Sequence, residues 1–391
     1  MDDLHGAMTG LLQVWSVYHL NADDVIAGVI FGAPSTPLST DDILLLAEHA
    51  RKLEFYTKEI ALRQEFMKRL QLEEKEHLKH TLKLAKAYHN NKMSNTAMKL
   101  LSPLLLTAHG KVKPLLIKYG QAAKNQITPT GEVNEERQIA SESDPLCRGI
   151  TKTPKERSEL HCTLRTKIPY YLVKEEVLHV HPRVSLFHEV LSEDDIKTLK
   201  RYTAQQVSKP SPAETEFVDL AMTIYQLNEK KFRRLSDKLS RRMSLITGLG
   251  THLKTSQSDV EDFQVVNYGA SGQFPLHSDC RSEALWTSTD DNQLPLSPYV
   301  RYSGDNIATW IYFMSDVGEG GATIMPNLKV RVTPVKGSAL FFYNYTPDGN
   351  CDLLTQYGTC PVALGTRWDA VKLIKQGGQI FRRLCDISND E

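Results

Sequence analysis

The stretch from 262 to 279 constrains this chain most, and it reads Asp-Phe-Gln-Val-Val-Asn-Tyr-Gly-Ala-Ser-Gly-Gln-Phe-Pro-Leu-His-Ser-Asp. Apolar and β-branched residues lead to Tyr268, a Gly-Ala-Ser-Gly turn follows, and a second extended run ends in His277-Ser-Asp279. Residues two apart in a strand share a face, so His277 and Asp279 point the same way. An imidazole beside a carboxylate can supply two ligands to a divalent metal. The pattern therefore predicts two strands that carry either a metal-binding pair or an exposed pair without a ligand.

Length and charge limit the classes of partner. The chain has 391 residues, which is enough for two or three domains, and it carries 47 basic and 47 acidic side chains. A net charge of zero gives no electrostatic reason to expect nucleic acid or an anionic membrane as partner. No apolar run approaches the length of a membrane span, and the start lacks the basic segment of a signal peptide.

The cysteines leave the redox state open. None of the six forms a close Cys-x-x-Cys pair, so a zinc ribbon is not expected. Their wide spacing fits either a few disulfides or isolated buried thiols, and composition alone favours reduced thiols.

The first third of the chain reads as helical. Amphipathic spacing predicts a helix over 2–20, and Thr40 is the expected cap of another helix. Helices are expected over 73–89 and 94–110, joined at Asn90-Asn91, with flanking helices at 41–70 and 111–124. This pair resembles one tetratricopeptide unit, which presents a concave surface to peptides, but a plain helical bundle fits the pattern equally well. The stretches 32–39 and 126–146 read as linkers.

The rest of the chain changes from helices to strands. A strand over 184–190, a capping box at Ser192 that opens a helix to about 206, and a helix over 213–247 come first. Strands are then expected over 262–268, 273–279, 308–315, 328–334, 338–343 and 368–375. This order predicts an α+β chain that ends in a β-sandwich or barrel. The irregular segment 281–304 beside the candidate metal pair is a predicted active-site lid.

Several segments together resemble the α subunits of collagen-type prolyl 4-hydroxylases. The resemblance covers residues from about 2 to 385. It is carried by Leu146-Cys-Arg-Gly149, Asn267-Tyr-Gly-Ala-Ser-Gly-Gln-Phe-Pro-Leu-His277-Ser-Asp279, Ile307-Ala-Thr-Trp-Ile-Tyr-Phe-Met-Ser-Asp-Val, Gly320-Gly-Ala-Thr-Ile-Met-Pro326, Pro334-Val-Lys-Gly-Ser-Ala-Leu-Phe-Phe-Tyr-Asn344, Cys360-Pro-Val, Gly365-Thr-Arg-Trp368 and Phe381-Arg-Arg-Leu-Cys385.

The resemblance implies a domain organisation and a chemistry. Residues 1–31 would be the end of an N-terminal helical dimerisation region, 40–125 a tetratricopeptide-like peptide-binding domain and 126–146 a linker. Residues 147–391 would form a double-stranded β-helix (jelly-roll) dioxygenase domain with its core at about 260–385. The domain would use Fe(II), 2-oxoglutarate, O₂ and L-ascorbate. Its substrate would be a proline-rich or collagen-like peptide, and its β subunit would be protein disulfide isomerase. Its compartment would be the lumen of the endoplasmic reticulum.

The resemblance also assigns individual residues. His277 and Asp279 would be metal ligands of the 2-His-1-carboxylate kind typical of non-haem Fe(II) oxygenases, and Tyr268 would lie near the distal carboxylate of 2-oxoglutarate. The family's two intrachain disulfides would be Cys147–Cys162 and Cys360–Cys385, which fits an oxidising compartment better than the reduced thiols that composition favours. Asn344-Tyr-Thr346 is a glycosylation sequon inside a strand pattern.

Two positions depart from the family. Its third metal ligand is a His in a Thr-Arg-His-Ala-Ala-Cys-Pro segment, where this chain has Tyr357 and no histidine after His277. His188 and His252 would have to reach the site from other elements. A phenolate at pH 7 costs about 4 kcal/mol, because the ordinary pKa of tyrosine is near 10. The family's lysine for the 2-oxoglutarate tail falls at Arg367, which keeps the charge in a longer, planar group.

Two functional hypotheses follow. In the first, the chain hydroxylates peptidyl proline, with Tyr357 as a compromised third ligand beside His277 and Asp279. In the second, it is a non-catalytic relative that binds proline-rich peptide or the β subunit. A truncated family member would account for the missing N-terminal sequence, although not for Tyr357.

Overall fold

The computed structural model describes residues 2–69, 74–106, 108–125, 144–152, 160–168, 171–205, 221–252, 259–280, 303–379 and 381–383. The chain divides into two compact units, residues 1–141 and 142–391. The first is mainly helical and the second is built around sheets. No described helix is long and apolar enough to cross a membrane.

The helical unit follows the amphipathic pattern of the sequence. Its helices are α1 Asp2–Val17, α2 Ala22–Ile26, α3 Thr40–Lys52, α4 Tyr56–Arg69, α5 Glu74–Asn90, α6 Ser94–Leu101 and α7 His109–Asn125. A small hairpin pairs β1 Val29–Ile30 with β2 Ala33–Pro34, and its second strand lies in the segment 32–39 predicted as a linker. Met8, Leu12 and Trp15 of α1 share one core with Ile43 of α3 and Leu62 of α4, so residues on both sides of that hairpin pack together.

Two helix boundaries differ from the sequence prediction. Ser39, not Thr40, is the N-cap of α3, because its hydroxyl accepts from the backbone of Asp42 while Asp42 bonds back to it. The helix expected over 94–110 ends at Leu101, and Ser102–Leu105 continues as a 3-10 turn that contains Pro103. Proline removes a backbone donor, which explains the break. The tetratricopeptide assignment stays a prediction.

The second unit contains a large antiparallel sheet. Its elements are α8 Asp144–Cys147, β3 Cys162–Ile168, β4 Tyr171–His179, β5 Val184–His188, α9 Glu193–Ala204, β6 Met222–Gln226, α10 Arg233–Thr247, β7 Gln264–Tyr268, β8 Phe274–His277, β9 Asn306–Phe313, β10 Glu319–Gly320, β11 Thr323–Met325, β12 Val330–Val332, β13 Ala339–Tyr343, β14 Tyr357–Thr359, β15 Val362–Leu364 and β16 Arg367–Lys375. The eight-stranded sheet has the order β3-β4-β5-β13-β9-β16-β7-β6, and a four-stranded sheet has the order β12-β11-β14-β8.

Strand β9 shows how the layers are stacked. All of its residues are buried, so both of its faces are covered. Trp310 and Tyr312 pack in a core with residues of α9 and α10, whereas Ile311 and Phe313 pack against residues of β11, β12 and β14. Alternate side chains of a strand point to opposite faces. The large sheet therefore lies between two helices and the small sheet, which agrees with the predicted α+β class.

The predictions for this unit hold in part. The capping box at Ser192 is confirmed, since Ser192 and Asp195 exchange side chain and backbone bonds at the start of α9. The helix predicted over 213–247 is wrong for Met222–Gln226, a strand that pairs with β7, and α10 begins only at Arg233. Thr223, Ile224 and Tyr225 are β-branched or aromatic, which favours a strand once a partner is present. The sequence patterns also missed β3 and β4.

The disulfide pairing differs from the one that the resemblance implied. Cys147 pairs with Cys360 across a Cα–Cα distance of 5.7 Å, which joins α8 to the segment between β14 and β15. Cys162 is an exposed free thiol on β3, and Cys385 lies outside the described residues. A disulfide needs Cα atoms within about 7 Å, a condition that chain spacing cannot reveal. The second disulfide joins Cys280 to Cys351.

Candidate functional site

The pairing of β8 with β14 brings His277 and Tyr357 together. The two residues are directly opposite partners in the antiparallel ladder, and their ring centroids lie 4.3 Å apart. His277 Nδ1 lies 2.9 Å from the carbonyl oxygen of Pro275 and donates to it, because a carbonyl only accepts. Nε2 of the ring then faces Asp279 Oδ1 at 3.8 Å. His277 and Asp279 thus lie side by side, as the strand pattern predicts.

Asp279 is bound on one oxygen and open on the other. Its Oδ2 accepts from Tyr357 Oη at 2.9 Å and from Thr309 Oγ1 at 2.5 Å. Its backbone carbonyl accepts from Asn306 Nδ2 at 3.0 Å, which fixes the segment just after β8. Oδ1 is left toward His277 Nε2. This arrangement presents two donor atoms that could bind one divalent ion.

Asn344 supports this arrangement from the neighbouring strand. Its Nδ2 donates to Thr309 Oγ1 at 2.9 Å and to the carbonyl of Asn306 at 3.1 Å. Asn344 is 1% exposed, so its amide is engaged in the interior rather than presented as a glycan acceptor. The sequon therefore marks a residue that positions Thr309, which in turn binds Asp279.

Tyr357 is a poor third metal ligand. Burial, together with the adjacent Asp279 carboxylate, raises the pKa of Tyr357 well above its ordinary value, so the phenol is neutral near pH 7. Its hydroxyl proton is directed to Asp279 Oδ2. His188 instead contacts Glu176 at 2.9 Å, and neither it nor His252 lines the cavity. Among the described residues, no group of three or more His, Cys, Asp or Glu side chains could hold a metal ion. The donors do not fit an Fe(II) site of three protein ligands.

Arg367 reaches the same region from β16. It pairs in the ladder with Tyr268 of β7, and its guanidinium lies 5.3 Å from the Tyr268 ring. The guanidinium is 1% exposed and makes an ion pair of 2.7 Å with Asp369. It also donates to the carbonyl of Gly321 and to Thr323 Oγ1, both at 2.8 Å. Since all of its nitrogens are engaged, Arg367 does not present a free fork to a dicarboxylate.

The electrostatic environment holds these charges in place. Burial opposes the positive form of Arg367, but the carboxylate of Asp369 outweighs it, so the pKa of Arg367 lies above its ordinary value. Burial raises the pKa of Tyr268 to about 12, with Asp369 adding to the effect. The ring hydroxyl of Tyr268 is thus neutral. Burial also raises the pKa of Asp369 against the effect of Arg367, and direct contact holds these two groups together as an internal pair.

These groups line one cavity of about 140 Å³. His277, Asp279, Tyr357, Arg367 and Asp369 contribute to its polar wall, and apolar residues of β6, β7, β8, β9 and β16 form most of the remaining wall. Sites for drug-sized ligands usually enclose roughly 300–1,000 Å³, so this cavity suits only a small ligand or side chain. The predicted lid lies almost wholly in 281–302, outside the described residues.

Sequence reasoning missed three residues of the site. Thr309 and Asn344 act on Asp279 from β9 and the end of β13, and no local pattern announces them. Asp369 follows Arg367 by two positions in a strand, so the two share a face. That spacing was a readable signal for an internal ion pair.

Comparisons with known proteins place the chain among its relatives. No family model matches it. It is 27% identical over 424 residues to prolyl 4-hydroxylase subunit alpha-1 of Gallus gallus, covering 100% of this chain and 79% of that one. It is 27% identical over 417 residues to subunit alpha-2 of Caenorhabditis elegans, covering 100% of this chain and 74% of that one. The chain is a homologue of prolyl 4-hydroxylase α subunits.

Other relatives match a shorter part. The alpha-1 subunit of Rattus norvegicus is 31% identical over 258 residues, which cover 63% of this chain and 46% of that one. The match thus spans less than half of that α subunit. Among solved structures, the viral collagen prolyl hydroxylase of Paramecium Bursaria Chlorella virus-1 overlaps 49% of this chain and 94% of its own, at 18% identity and a TM-score of 0.35. An overlap at that score adds nothing to the assignment.

Proposed function

We propose that this chain performs a prolyl 4-hydroxylase-like function in which it engages proline-rich peptide, while its own pocket does not turn over in the native form. The α-subunit relatives match it along its whole length, which supports a shared peptide partner. The absence of turnover is proposed from one observation, the hydrogen bond that Tyr357 Oη donates to Asp279 Oδ2 at 2.9 Å. A neutral phenol committed to the carboxylate leaves only two side chains for a metal.

The chemistry of the family would require more than this pocket offers. Fe(II) bound with 2-oxoglutarate supplies the oxidation of a peptidyl proline in that family. In this chain His277 Nε2 and Asp279 Oδ1 would hold the ion, and Tyr268 and Arg367 would lie at the cosubstrate tail. Arg367 is already bound by Asp369, however, so the residues do not fit the cosubstrate as they stand.

The peptide partner and the compartment belong to the same proposal. The helical region 40–125 is the proposed peptide-binding domain, with a tetratricopeptide-like pair formed by α5 and α6, and residues 147–391 are the proposed double-stranded β-helix domain. The two disulfides are compatible with the oxidising lumen of the endoplasmic reticulum. Association with a protein disulfide isomerase β subunit is a further part of this proposal. A need for L-ascorbate would arise only if the pocket turned over.

A second candidate is a working hydroxylase, which the proximity of His277 Nε2 and Asp279 Oδ1 favours. Two protein ligands, with water completing the sphere, would then be enough for turnover. This candidate differs from the first only in whether the pocket reacts.

One experiment separates the two candidates. Peptide affinity and Fe(II)- and 2-oxoglutarate-dependent succinate formation are measured with a proline-rich peptide for the native chain, Asp279→Ala and Tyr357→His. We expect the native chain to bind peptide and to form no more succinate than Asp279→Ala. We expect Tyr357→His to bind Fe(II) or Co(II) more tightly, because a second imidazole then replaces the phenol as the third ligand.

Matched controls keep the result clear. Tyr357→Phe removes the hydroxyl but supplies no ligand, so it should not gain metal affinity. Native succinate formation that Asp279→Ala abolishes would support the hydroxylase instead. Absence of peptide binding by the native chain would reject the proposed function altogether.

A further inference from the structure

The guanidinium of Arg367 has no pair of donors left for a carboxylate ligand. Nε lies 3.1 and 3.0 Å from the two carboxylate oxygens of Asp369, and Nη2 lies 2.7 Å from Asp369 Oδ2. Nη2 also donates to Thr323 Oγ1, and Nη1 donates to the carbonyl of Gly321, both at 2.8 Å. These five contacts engage four of the five N–H groups, because Nε shares its one hydrogen between both Asp369 oxygens. One N–H of Nη1 remains, which is not enough to bind a carboxylate in two-point fashion.

The partner carboxylate is fixed by its backbone. Asp369 lies two residues after Arg367 on β16, so both side chains project from the same face of one strand. β16 is paired on both sides, with Asp369 opposite Val266 of β7 and Phe313 of β9. Asp369 is 2% exposed, and water cannot readily replace it at the guanidinium. The pair is thus a built-in part of the cavity wall.

The cavity as a whole is unfavourable for an added anion. Its wall contains the carboxylates of Asp279 and Asp369 and the single guanidinium of Arg367 among the described lining residues. The guanidinium is already balanced by Asp369, which leaves the charge of Asp279 in excess. An entering dicarboxylate would meet two acidic groups and no unengaged cation.

We propose that Asp369 is a specificity-determining residue, an internal carboxylate that occupies Arg367 and excludes small dicarboxylates such as 2-oxoglutarate from the cavity. This inference deepens and rests on the proposed function, since it names the ligand class that the pocket rejects. Removing the charge of Asp369 should free the fork of Arg367, so that a carboxylate ligand can take its place.

The test is a calorimetric titration of the metal-free full chain with 2-oxoglutarate. It compares the native chain with Asp369→Ser, which keeps a hydroxyl near Arg367 but removes the carboxylate. The matched control is Asp194→Ser, which removes the same charge from an exposed position in the first turn of α9. We expect Asp369→Ser to bind at least 10-fold more tightly than the native chain and the control. The double variant Arg367→Ala/Asp369→Ser should lose that gain.

Two outcomes overturn the proposal. One is a native chain that binds 2-oxoglutarate as tightly as Asp369→Ser, and the other is a folded Asp369→Ser that shows no gain. Circular dichroism establishes folding, and Asp369→Asn, which is nearly isosteric, serves if Asp369→Ser does not fold.

The outcome is separable from that of the proposed function. The titration contains neither peptide nor metal, so peptide binding can fail while Asp369→Ser still gains affinity. Conversely, the native chain can bind peptide while the dicarboxylate titration contradicts the role of Asp369.

Discussion

Among the residues that the structure describes, each unit buries one arginine almost completely, but the two arginines have different roles. Arg63 of α4 and Arg367 of β16 are both 1% exposed. Arg63 Nε donates to Glu59 at 2.7 Å, and Arg63 Nη2 donates to Glu48 of α3 at 3.1 Å. Arg367 is bound mainly by Asp369 of its own strand. The ion pairs of Arg63 tie α3 and α4 together, whereas the ion pair of Arg367 mostly completes the wall of a cavity.

The difference lies in how completely the charges are satisfied. Among the contacts of the described residues, Arg63 Nη1 has no hydrogen-bond partner, and Glu48 remains partly exposed and also binds Lys83 at 2.6 Å. All the nitrogens of Arg367 are engaged, and Asp369 is almost fully buried. A buried ion pair adds little net stability, but removal of one partner is costly because the other charge is stranded. The two sites should therefore respond unequally to the same substitution.

The largest effect is expected for Arg367→Ala. Asp369 would be left buried and unpaired, and we expect the free energy of unfolding of the sheet unit to fall by about 5 kcal/mol, the upper end for a broken buried pair. Hydrogen exchange of peptides from 142–391 along a urea series measures it. Arg241→Ala, at an exposed position of α10, is the control and should change little. A loss below about 1 kcal/mol would show that Asp369 does not need its partner.

A smaller loss is expected for Arg63→Ala in the helical unit. Glu48 keeps its bond to Lys83 and reaches solvent, so the loss of Arg63 does not strand that carboxylate. We expect a loss of about 3 kcal/mol, read from exchange of peptides in 1–141. Lys68→Ala is the control, because that side chain is 72% exposed. A larger loss than that of Arg367→Ala would reverse the comparison between the two sites.

The smallest effect is a pH dependence in the helical unit. Burial by itself would raise the pKa of Glu48, but hydrogen bonds from Lys83 and Arg63 have a larger, opposite effect. The pKa of Glu48 is therefore lowered from its ordinary 4.5 to about 2. A carboxyl whose pKa is lower in the folded state than in the unfolded state stabilises the fold at pH values above its unfolded-state pKa. That stabilisation is lost as the pH falls through its folded-state pKa. The stability difference between the native chain and Glu48→Gln should therefore be full above pH 4.5 and shrink toward about pH 2.

Thermal or urea unfolding at several pH values between those limits measures this difference. The exposed Glu54→Gln serves as the control, and its difference from the native chain should stay small. If the difference in unfolding free energy between the native chain and Glu48→Gln grew as the pH fell, the lowered pKa of Glu48 would be contradicted.

The sequence by itself determined the features that depend on neighbouring residues. The capping box at Ser192, the buried strand that contains Trp310 and the shared face of His277 and Asp279 follow from spacing along a few residues. The change from helices to strands followed in the same way. Short-range periodicity and capping reflect local energetics, which the chain carries wherever it folds.

Only the tertiary structure decided how distant residues meet. The β8–β14 register sets Tyr357 against His277, and Cys147 reaches Cys360 across a separation of 213 residues. Tertiary pairing also turned Met222–Gln226 into a strand. Whether Tyr357 would direct its proton to Asp279, and whether Arg367 would be free or bound, depended on burial and on groups from separate strands. Long-range contacts balance charge, desolvation and packing over the whole fold, and no local pattern encodes that balance.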